Sequence, residues 1–141
     1  MPSGIRDVLV VDDDPFHQKL LAAVCSRRGW SADVAGDGEA AIAMLHNRKY
    51  RTILLDLLLP RVNGFEVIEW VRSQPGLNAL RIVVLTSSDE LRDVNRAYKL
   101  GANSFMVKPM DFEDTVHMSR FLSAYWLDLS KTPESSRPVR D

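Results

Sequence analysis

Residues 51–60 read RTILLDLLLP, an almost continuous apolar run with one carboxylate, Asp56, in its middle and a proline at its end. Burying an ionised side chain is costly unless a cation pairs with it, so this acid must lie at the exposed end of a strand or beside a positive group. In an open parallel sheet both conditions are met in the crevice outside the carboxyl ends of the strands, where ligands bind. The run therefore predicts a central parallel strand and marks Asp56 as a site residue.

Four more apolar runs alternate with segments of helical spacing, which indicates parallel βαβ units with helices on both faces of a sheet. The predicted strands, besides the Asp56 run, are residues 8–11, 30–35, 81–85 and 104–107. The predicted helices run from 15 to a stop at 27–29, from the turn at 36–38 to 47–49, from 65 to a stop at 74–76, from 91 to 101, and from about 111 to 129. We expect an α/β fold of the flavodoxin-like (βα)5 type, a doubly wound parallel sheet with strand order 2-1-3-4-5.

The length and composition are those of one ordinary domain. The chain has 141 residues, of which 45% are hydrophobic and 26% charged, enough to bury a core of its own. We expect this domain to occupy residues 1–129. Residues 130–141 are dominated by proline, serine and charge, and this composition predicts a disordered C-terminal tail.

Charge and cysteine content exclude several function classes. The formal net charge of −1 gives no indication of binding to nucleic acid or to an anionic membrane. No apolar run approaches the ~20 residues of a membrane-spanning helix, and Cys25, the single cysteine, cannot form an intrachain disulfide or a thiolate metal cluster. A cytoplasmic location is the expectation. His17, His46 and His117 lack the spacing of a metal pair and are interpreted as solvated or core-edge side chains.

Polar side chains follow four of the five predicted strands, and the expected fold places these strand ends side by side. They are Asp12 and Asp13, Asp56, Thr86, and Lys108. Three carboxylates that converge in one crevice repel one another, so the pattern requires a hard cation and a nearby ammonium group. Mg²⁺ is the natural candidate because it prefers oxygen ligands and keeps positions open for phosphate.

The same residues suit phosphoryl transfer. Lys108 offers a mobile point charge and Thr86 a hydroxyl, and both groups match the oxygens of a phosphoryl group in transit. The predicted reaction is transfer of a phosphoryl group onto a carboxylate, with Asp56 as the nucleophile. Taken singly, four of these residues have an ordinary alternative: Asp12, Asp13 and Thr86 could cap helices, and Lys108 could be a solvated loop charge. Their joint placement at adjacent strand ends favours the site.

Together these motifs resemble the receiver domain of bacterial two-component response regulators, over about residues 5–127. The matching motifs are Asp12-Asp13, Asp56 with Leu59-Pro60 and Asn63-Gly64, Thr86-Ser87, and Lys108-Pro109. The resemblance implies that Asp56 accepts a phosphoryl group from a phosphohistidine on a sensor histidine kinase. It implies no enzymatic activity beyond self-phosphotransfer and self-dephosphorylation.

The resemblance also implies roles for individual residues. Mg²⁺ would be held directly by Asp13, Asp56 and the backbone carbonyl of Leu58, and by Asp12 mainly through water. A cis peptide bond before Pro109 would aim Lys108 at the site.

Switching would follow from phosphorylation, which adds strong negative charge beside Asp56. Thr86 and Phe105 would move inward together. The surface formed by the fourth helix, the fifth strand and the fifth helix would then change its protein contacts.

The predicted last helix has more apolar surface than docking on a sheet requires. We expect its second face to form an interface of a homodimer; the alternative is an oversized helix that only covers the end of the core. The expected interface residues are Met118, Leu122, Tyr125, Trp126 and Leu129. Residues 125–127 also resemble the ending of single-domain regulators that partner phytochrome-type photoreceptor kinases. No DNA-binding pattern follows, which predicts a stand-alone receiver with protein-protein output.

Two other functions compete with the phosphoacceptor. The first is a phosphorylation-independent, receiver-like binding module that kept the fold and lost the switch. The second is a Mg²⁺-dependent phosphatase of another α/β family with an aspartyl-phosphate intermediate. Such an enzyme would need a second aspartate two residues after its nucleophile, and that position here is Leu58.

Overall fold

The computed structural model describes residues 4–109 and Arg120. Its five strands are Arg6–Val11 (β1), Ala32–Ala35 (β2), Tyr50–Leu55 (β3), Arg81–Thr86 (β4) and Ser104–Val107 (β5). Its four α-helices are Pro15–Arg27 (α1), Gly38–Asn47 (α2), Gly64–Ser73 (α3) and Leu91–Leu100 (α4), and a 3₁₀ turn, Pro75–Leu77, follows α3. Strands and helices alternate along these residues as the apolar runs predict.

The five strands form one parallel sheet in the order β2-β1-β3-β4-β5. The flavodoxin-like architecture predicted from the sequence is thereby confirmed. The carboxyl ends of β1, β2 and β3 are level, since Val11 of β1 pairs with Ala35 of β2 and with Leu55 of β3. Because Leu55 pairs with Val84, β4 extends two residues further. Thr86 of β4 likewise pairs with Val107 of β5. The residues that follow these strands therefore leave the sheet at a common edge.

Both faces of the sheet are buried, which is why its strands read as continuous apolar runs. Leu9 and Ile53 belong to a first core cluster beneath α2, α3 and α4, whereas Val10 and Leu54 belong to a second cluster beneath α1. None of these four side chains is more than 2% exposed. Burial of each contributes roughly 1.5–3 kcal/mol relative to exposure, so the central strands are the most firmly held part of the fold.

The end of α1 explains why β2 begins at Ala32 rather than at residue 30. Gly29 adopts a left-handed conformation with φ 76°, and its N–H donates to the carbonyl of Ser26. The N–H of Trp30 then donates back to the carbonyl of Cys25, which completes a Schellman motif. Because the amide of Trp30 bonds to the end of the helix, this residue does not pair with β1. Its side chain packs against the second core cluster.

The predicted last helix, its interface residues Met118, Leu122, Tyr125, Trp126 and Leu129, and the tail at residues 130–141 lie outside the described residues. The domain boundary at residue 129 stays a prediction for the same reason. Within the described part of the chain, every helix is too short or too polar to cross a bilayer.

Candidate functional site

Three backbone hydrogen bonds carry the sheet ladder one residue beyond the strands and so place the site residues. The N–H of Asp12 donates to Ala35 at 3.1 Å, that of Asp56 to Val11 at 3.0 Å, and that of Lys108 to Thr86 at 2.8 Å. Each of these residues is therefore held by the strand next to its own. Their side chains start from the same edge of the sheet because the strands are parallel and all end there.

Asp56 is surrounded by donors. Its Oδ1 accepts from the backbone N–H of Leu58 at 3.0 Å and from the hydroxyl of Thr86 at 2.7 Å, and its Oδ2 accepts from the ammonium of Lys108 at 3.0 Å. The residue is only 6% exposed, and Thr86 is fully buried. These contacts hold the carboxylate in one orientation and place a hydroxyl and an ammonium beside it.

The loop after Asp56 depends on a glycine at the start of α3. A Cβ atom at Gly64 would lie 2.5 Å from the Cα of Leu57 and 2.6 Å from the carbonyl oxygen of Asp56, closer than real Cβ contacts allow. The N–H of Gly64 donates to the carbonyl of Leu57 at 3.1 Å. The close approach of α3 to this loop therefore requires the glycine of the Asn63-Gly64 motif.

Asp12 shares the ammonium of Lys108 with Asp56. Its Oδ2 accepts from Lys108 at 2.8 Å, its Oδ1 accepts from the N–H of Asp14 at 3.0 Å, and its backbone carbonyl accepts from the side chain of Gln18 at 2.6 Å. Burial raises the pKa of Asp12 even though Lys108 and the Asp14 amide act in the opposite direction. Burial also acts to lower the pKa of Lys108, but its hydrogen bond to Asp12 and the charges of both carboxylates outweigh this and raise it. Lys108 is therefore a firmly held ammonium.

One oxygen each from Asp12, Asp13 and Asp56 lies within 4.8 Å of the others. Asp13 is exposed, whereas the other two carboxylates are buried. Three carboxylates beside one ammonium, which contacts Asp12 and Asp56, leave an excess of negative charge. An oxygen-only donor set of this kind suits a hard divalent cation such as Mg²⁺. The contact that the structure shows for Leu58 is made by its amide, so the role of its carbonyl as a metal ligand stays a prediction.

The structure brings together five residues that the sequence places at the site: Asp12, Asp13, Asp56, Thr86 and Lys108. Their chemical roles stay predictions.

Phe105, the expected switch partner, lies on β5, is partly buried and packs against the first core cluster. The expected cis bond before Pro109 is wrong, because the structure has no cis peptide bond within residues 4–109. The trans form is ordinarily favoured for proline too, and Lys108 reaches both carboxylates with it.

His17 is a site neighbour that the sequence reasoning missed. Its Nδ1 lies 3.1 Å from Nζ of Lys108 and 3.8 Å from Oδ2 of Asp12, although the sequence suggested a solvated or core-edge side chain. A usable signal was present. His17 stands four residues after Asp13, in the first turn of the helix that begins at the predicted site, so its side chain starts close to the strand ends.

Comparison with known proteins agrees with this geometry. Residues 8–120 match the family model of the response regulator receiver domain. The chain is 34% identical to the probable methanogenesis regulatory protein FilR2 of Methanothrix harundinacea, over 89% of this chain and 86% of that protein. It is also 34% identical to the probable transcriptional regulatory protein TcrX of Mycobacterium tuberculosis. This match covers 82% of the chain but only 48% of TcrX, so the chain spans about half the length of that relative.

Solved structures show the same fold. The Mn²⁺-bound form of the response regulator Rcp1 matches with a TM-score of 0.79 and 28% identity, over 91% of this chain and 99% of that one. The bacteriophytochrome response regulator RtBRR matches with a TM-score of 0.66 and 35% identity, over 81% of this chain and 75% of that one.

Proposed function

Because the chain belongs to the response regulator receiver family, we propose that Asp56 accepts a phosphoryl group from a phosphohistidine on a sensor histidine kinase. The observation that carries the proposal is the environment of its carboxylate, which is buried at the carboxyl edge of the sheet and contacted by Thr86 at 2.7 Å and Lys108 at 3.0 Å. A hydroxyl and an ammonium at these distances can follow a group attached to Asp56 and donate to its oxygens.

In the proposed step an oxygen of Asp56 attacks phosphorus and forms an O–P bond. The P–N bond of the donor breaks, and its electron pair returns to the imidazole of the donor histidine. Asp56 must be ionised to act as the nucleophile. The ammonium of Lys108 lies 3.0 Å from its Oδ2. Thr86 and Lys108 then stabilise charge on the transferred group. Hydrolysis of the resulting acyl phosphate would be the self-dephosphorylation step.

We assign a Mg²⁺ site to the three clustered aspartates, Asp12, Asp13 and Asp56, with the Leu58 carbonyl as a further ligand. The support is that their oxygens lie within 4.8 Å of one another and that the related Rcp1 has been solved in a Mn²⁺-bound form. A bound divalent cation supplies Lewis-acid charge that offsets the phosphoryl oxygens. Asp13, the exposed member of the cluster, is the ligand that solvent reaches most easily.

The output surface we propose includes α4 and β5. Leu91 on α4 is 71% exposed, Tyr98 on the same helix 47%, and Val107 on β5 40%, so apolar side chains are displayed on both elements. Thr86 ends β4 and hydrogen bonds to Asp56, while Phe105 lies on β5, the strand that pairs with β4. Movement of Thr86 towards a phosphoryl group would therefore displace β5 first, and the change would then reach this surface.

A phytochrome-type photoreceptor kinase is the partner class that we favour. The support is the similarity to RtBRR, a bacteriophytochrome response regulator, together with the resemblance of residues 125–127 to regulators that partner such kinases. Homodimerisation through the last helix, action without an attached output domain, and the cytoplasmic location stay predictions.

The test is phosphorylation of the full chain by acetyl phosphate with Mg²⁺, read by intact mass. We expect the wild type to gain one phosphoryl group and Asp56→Asn to gain none, because the amide is not a competent nucleophile. Asp33→Asn, which replaces a carboxylate on β2 away from the cluster, is the matched control and should be labelled like the wild type. An unlabelled wild type would support the phosphorylation-independent binding module instead. Equal labelling of Asp56→Asn would show that another residue takes the label and would contradict Asp56 as the acceptor.

A further inference from the structure

His17 lies beside the ammonium of Lys108 but has no part in the function proposed above. It occupies the first turn of α1, and its side chain is 15% exposed. Nδ1 of its ring is 3.1 Å from Nζ of Lys108, a contact between residues 91 positions apart in the sequence. The contact is therefore a product of the fold and not of local chain geometry.

The partners of the ring determine its tautomer. An ammonium can only donate, so Nδ1 must be the acceptor in its contact with Lys108 and must carry no proton. The proton is then on Nε2, which lies 3.6 Å from Oδ2 of Asp14. That distance is too long for a short hydrogen bond, but the negative charge of Asp14 favours a proton on the facing nitrogen. The arrangement is a neutral imidazole between a carboxylate and an ammonium.

Asp14 is itself held in place as the N-cap of α1. Its Oδ1 accepts from the N–H of Phe16 at 2.8 Å and from that of His17 at 3.4 Å. These bonds hold the carboxylate of Asp14 at the first turn of α1, with its Oδ2 towards the ring of His17. The start of α1 thus fixes both the backbone of His17 and the charge that its ring faces.

The ammonium of Lys108 meets three acceptors among the described residues. These are Asp12 Oδ2 at 2.8 Å, Asp56 Oδ2 at 3.0 Å and His17 Nδ1 at 3.1 Å. The two carboxylates attract it from the strand ends, and the imidazole contacts it from α1. Two of the three acceptors change during the proposed reaction, because Asp56 becomes an acyl phosphate and Asp12 belongs to the proposed metal site. His17 is the acceptor that stays the same.

We propose that His17 is a positioning residue for phosphoryl transfer to Asp56, which orients the Lys108 ammonium through its unprotonated Nδ1. The inference rests on the proposed phosphoacceptor function. Without this acceptor the ammonium loses one of the contacts that orient it, and it spends less time where it can donate to the oxygens of the incoming group. The effect should appear in the rate of phosphorylation, because Lys108 stabilises the negative charge that develops on the phosphoryl group during its transfer.

Two variants of nearly equal shape separate this role from simple packing. In His17→Asn the side-chain oxygen stands at the same bond distance from the backbone as Nδ1 and can accept from Lys108. His17→Leu has the same branched outline but no acceptor. We expect the labelling rate with acetyl phosphate and Mg²⁺ to fall about tenfold in His17→Leu, the effect of losing one hydrogen bond to a charged group. His17→Asn should stay within about threefold of the wild type.

Both variants should unfold at urea concentrations close to each other, so that a rate difference between them is not a folding defect. Equal labelling rates of wild type, His17→Asn and His17→Leu would overturn the positioning role while leaving Asp56 as the phosphoacceptor. A wild type that takes no label would overturn both proposals together.

The tautomer gives a second readout that does not depend on phosphorylation. Imidazole ¹⁵N shifts of the wild-type protein near neutral pH should show a protonated Nε2 and an unprotonated Nδ1 for His17. A protonated Nδ1 would overturn the proposal, since that atom could not accept from Lys108. The Lys108→Met variant should change these shifts, whereas Lys99→Met, on the exposed surface of α4, should not.

Discussion

Two clusters of polar side chains lie on the same sheet, and the negative charge in them is compensated in opposite ways. At the carboxyl edge, Asp12, Asp13 and Asp56 cluster together, and the ammonium of Lys108 contacts the first and the last of them. On β2, the carboxylate of Asp33 accepts hydrogen bonds from three donors. These are Arg6 at 2.8 Å, Arg48 at 3.1 Å and the hydroxyl of Tyr50 at 2.7 Å.

The pKa shifts follow this difference. Burial acts to raise the pKa of Asp33, but the hydrogen bonds from Tyr50, Arg6 and Arg48 outweigh it and lower the pKa. Burial acts in the same direction on Asp12, and there it prevails. A carboxylate that accepts hydrogen bonds from several separate segments, as Asp33 does, holds those segments together and has a structural role. A cluster with more negative charge than its cation offsets can take up another cation, which is what a ligand site requires.

The largest expected effect is the loss of the ammonium. Lys108→Met should lower the free energy of unfolding at pH 7 by about 3–5 kcal/mol, because removing one partner of a buried ion pair leaves uncompensated charge. Lys108 and Asp56 are each 7% exposed at the side chain, so solvent screens little of this. Urea unfolding followed by circular dichroism measures the change.

The double variant Lys108→Met/Asp56→Asn is the matched control for that loss. It should recover part of the lost stability, since one of the repelling carboxylates is gone as well. If Lys108→Met were as stable as the wild type, the edge cluster would not depend on its ammonium, and the contrast with Asp33 would fail.

The second-largest expected effect is stabilisation of the folded state by a divalent cation, which should involve the edge cluster and not the Asp33 cluster. Mg²⁺ that binds the folded state should raise the free energy of unfolding by about 2.7 kcal/mol at roughly 100 times its dissociation constant. Asp13→Asn should reduce this gain strongly, whereas Asp33→Asn should retain it. Thermal melts across a Mg²⁺ titration provide the measurement. An equal loss in both variants would mean that Mg²⁺ acts on the general charge of the protein and not at the edge cluster.

The smallest expected effect concerns the structural cluster and its pH dependence. Asp33→Asn should cost about 1–2 kcal/mol at pH 7, because its donors lose a charged acceptor. The folded pKa of Asp33 is depressed, so its contribution is fully present above the unfolded value of about 3.9 and is lost as the pH falls through the folded value. The difference between wild type and variant should therefore shrink below about pH 4, as urea unfolding at several pH values would show.

Tyr50→Phe is the matched control for the Asp33 experiment. It removes one donor and keeps the carboxylate with both arginines, so it should lose less stability than Asp33→Asn at pH 7. A difference between wild type and Asp33→Asn that stayed constant down to pH 3 would show that the charge of Asp33 contributes nothing.

The edge cluster could be predicted from the sequence, whereas the Asp33 cluster could not. Asp12, Asp56, Thr86 and Lys108 each follow an apolar run directly, and the parallel topology turns that local position into proximity. Arg6, Asp33 and Tyr50 lie on three different strands, and Arg48 directly follows α2. No local pattern marks them as partners, because their contacts depend on how β1, β2 and β3 are aligned in register.

His17 and Pro109 show the same limit at the site itself. The helix that carries His17 was predicted from Pro15 onward, but its contact with Lys108 depends on where α1 lies relative to the end of β5. The expected cis bond before Pro109 came from the family resemblance and not from this chain's packing, and the structure contradicts it.

The sequence by itself determined the order of strands and helices, the two buried faces of the sheet and the polar residues at its carboxyl edge. These features follow from the spacing of apolar side chains within a few residues of each other, and short-range periodicity is what a sequence displays directly. Only the tertiary structure decided which oxygens share the Lys108 ammonium, that His17 meets it, and that Asp33 is enclosed by three donors. Such contacts join atoms from distant segments, so they exist only once packing has set the distances between those segments.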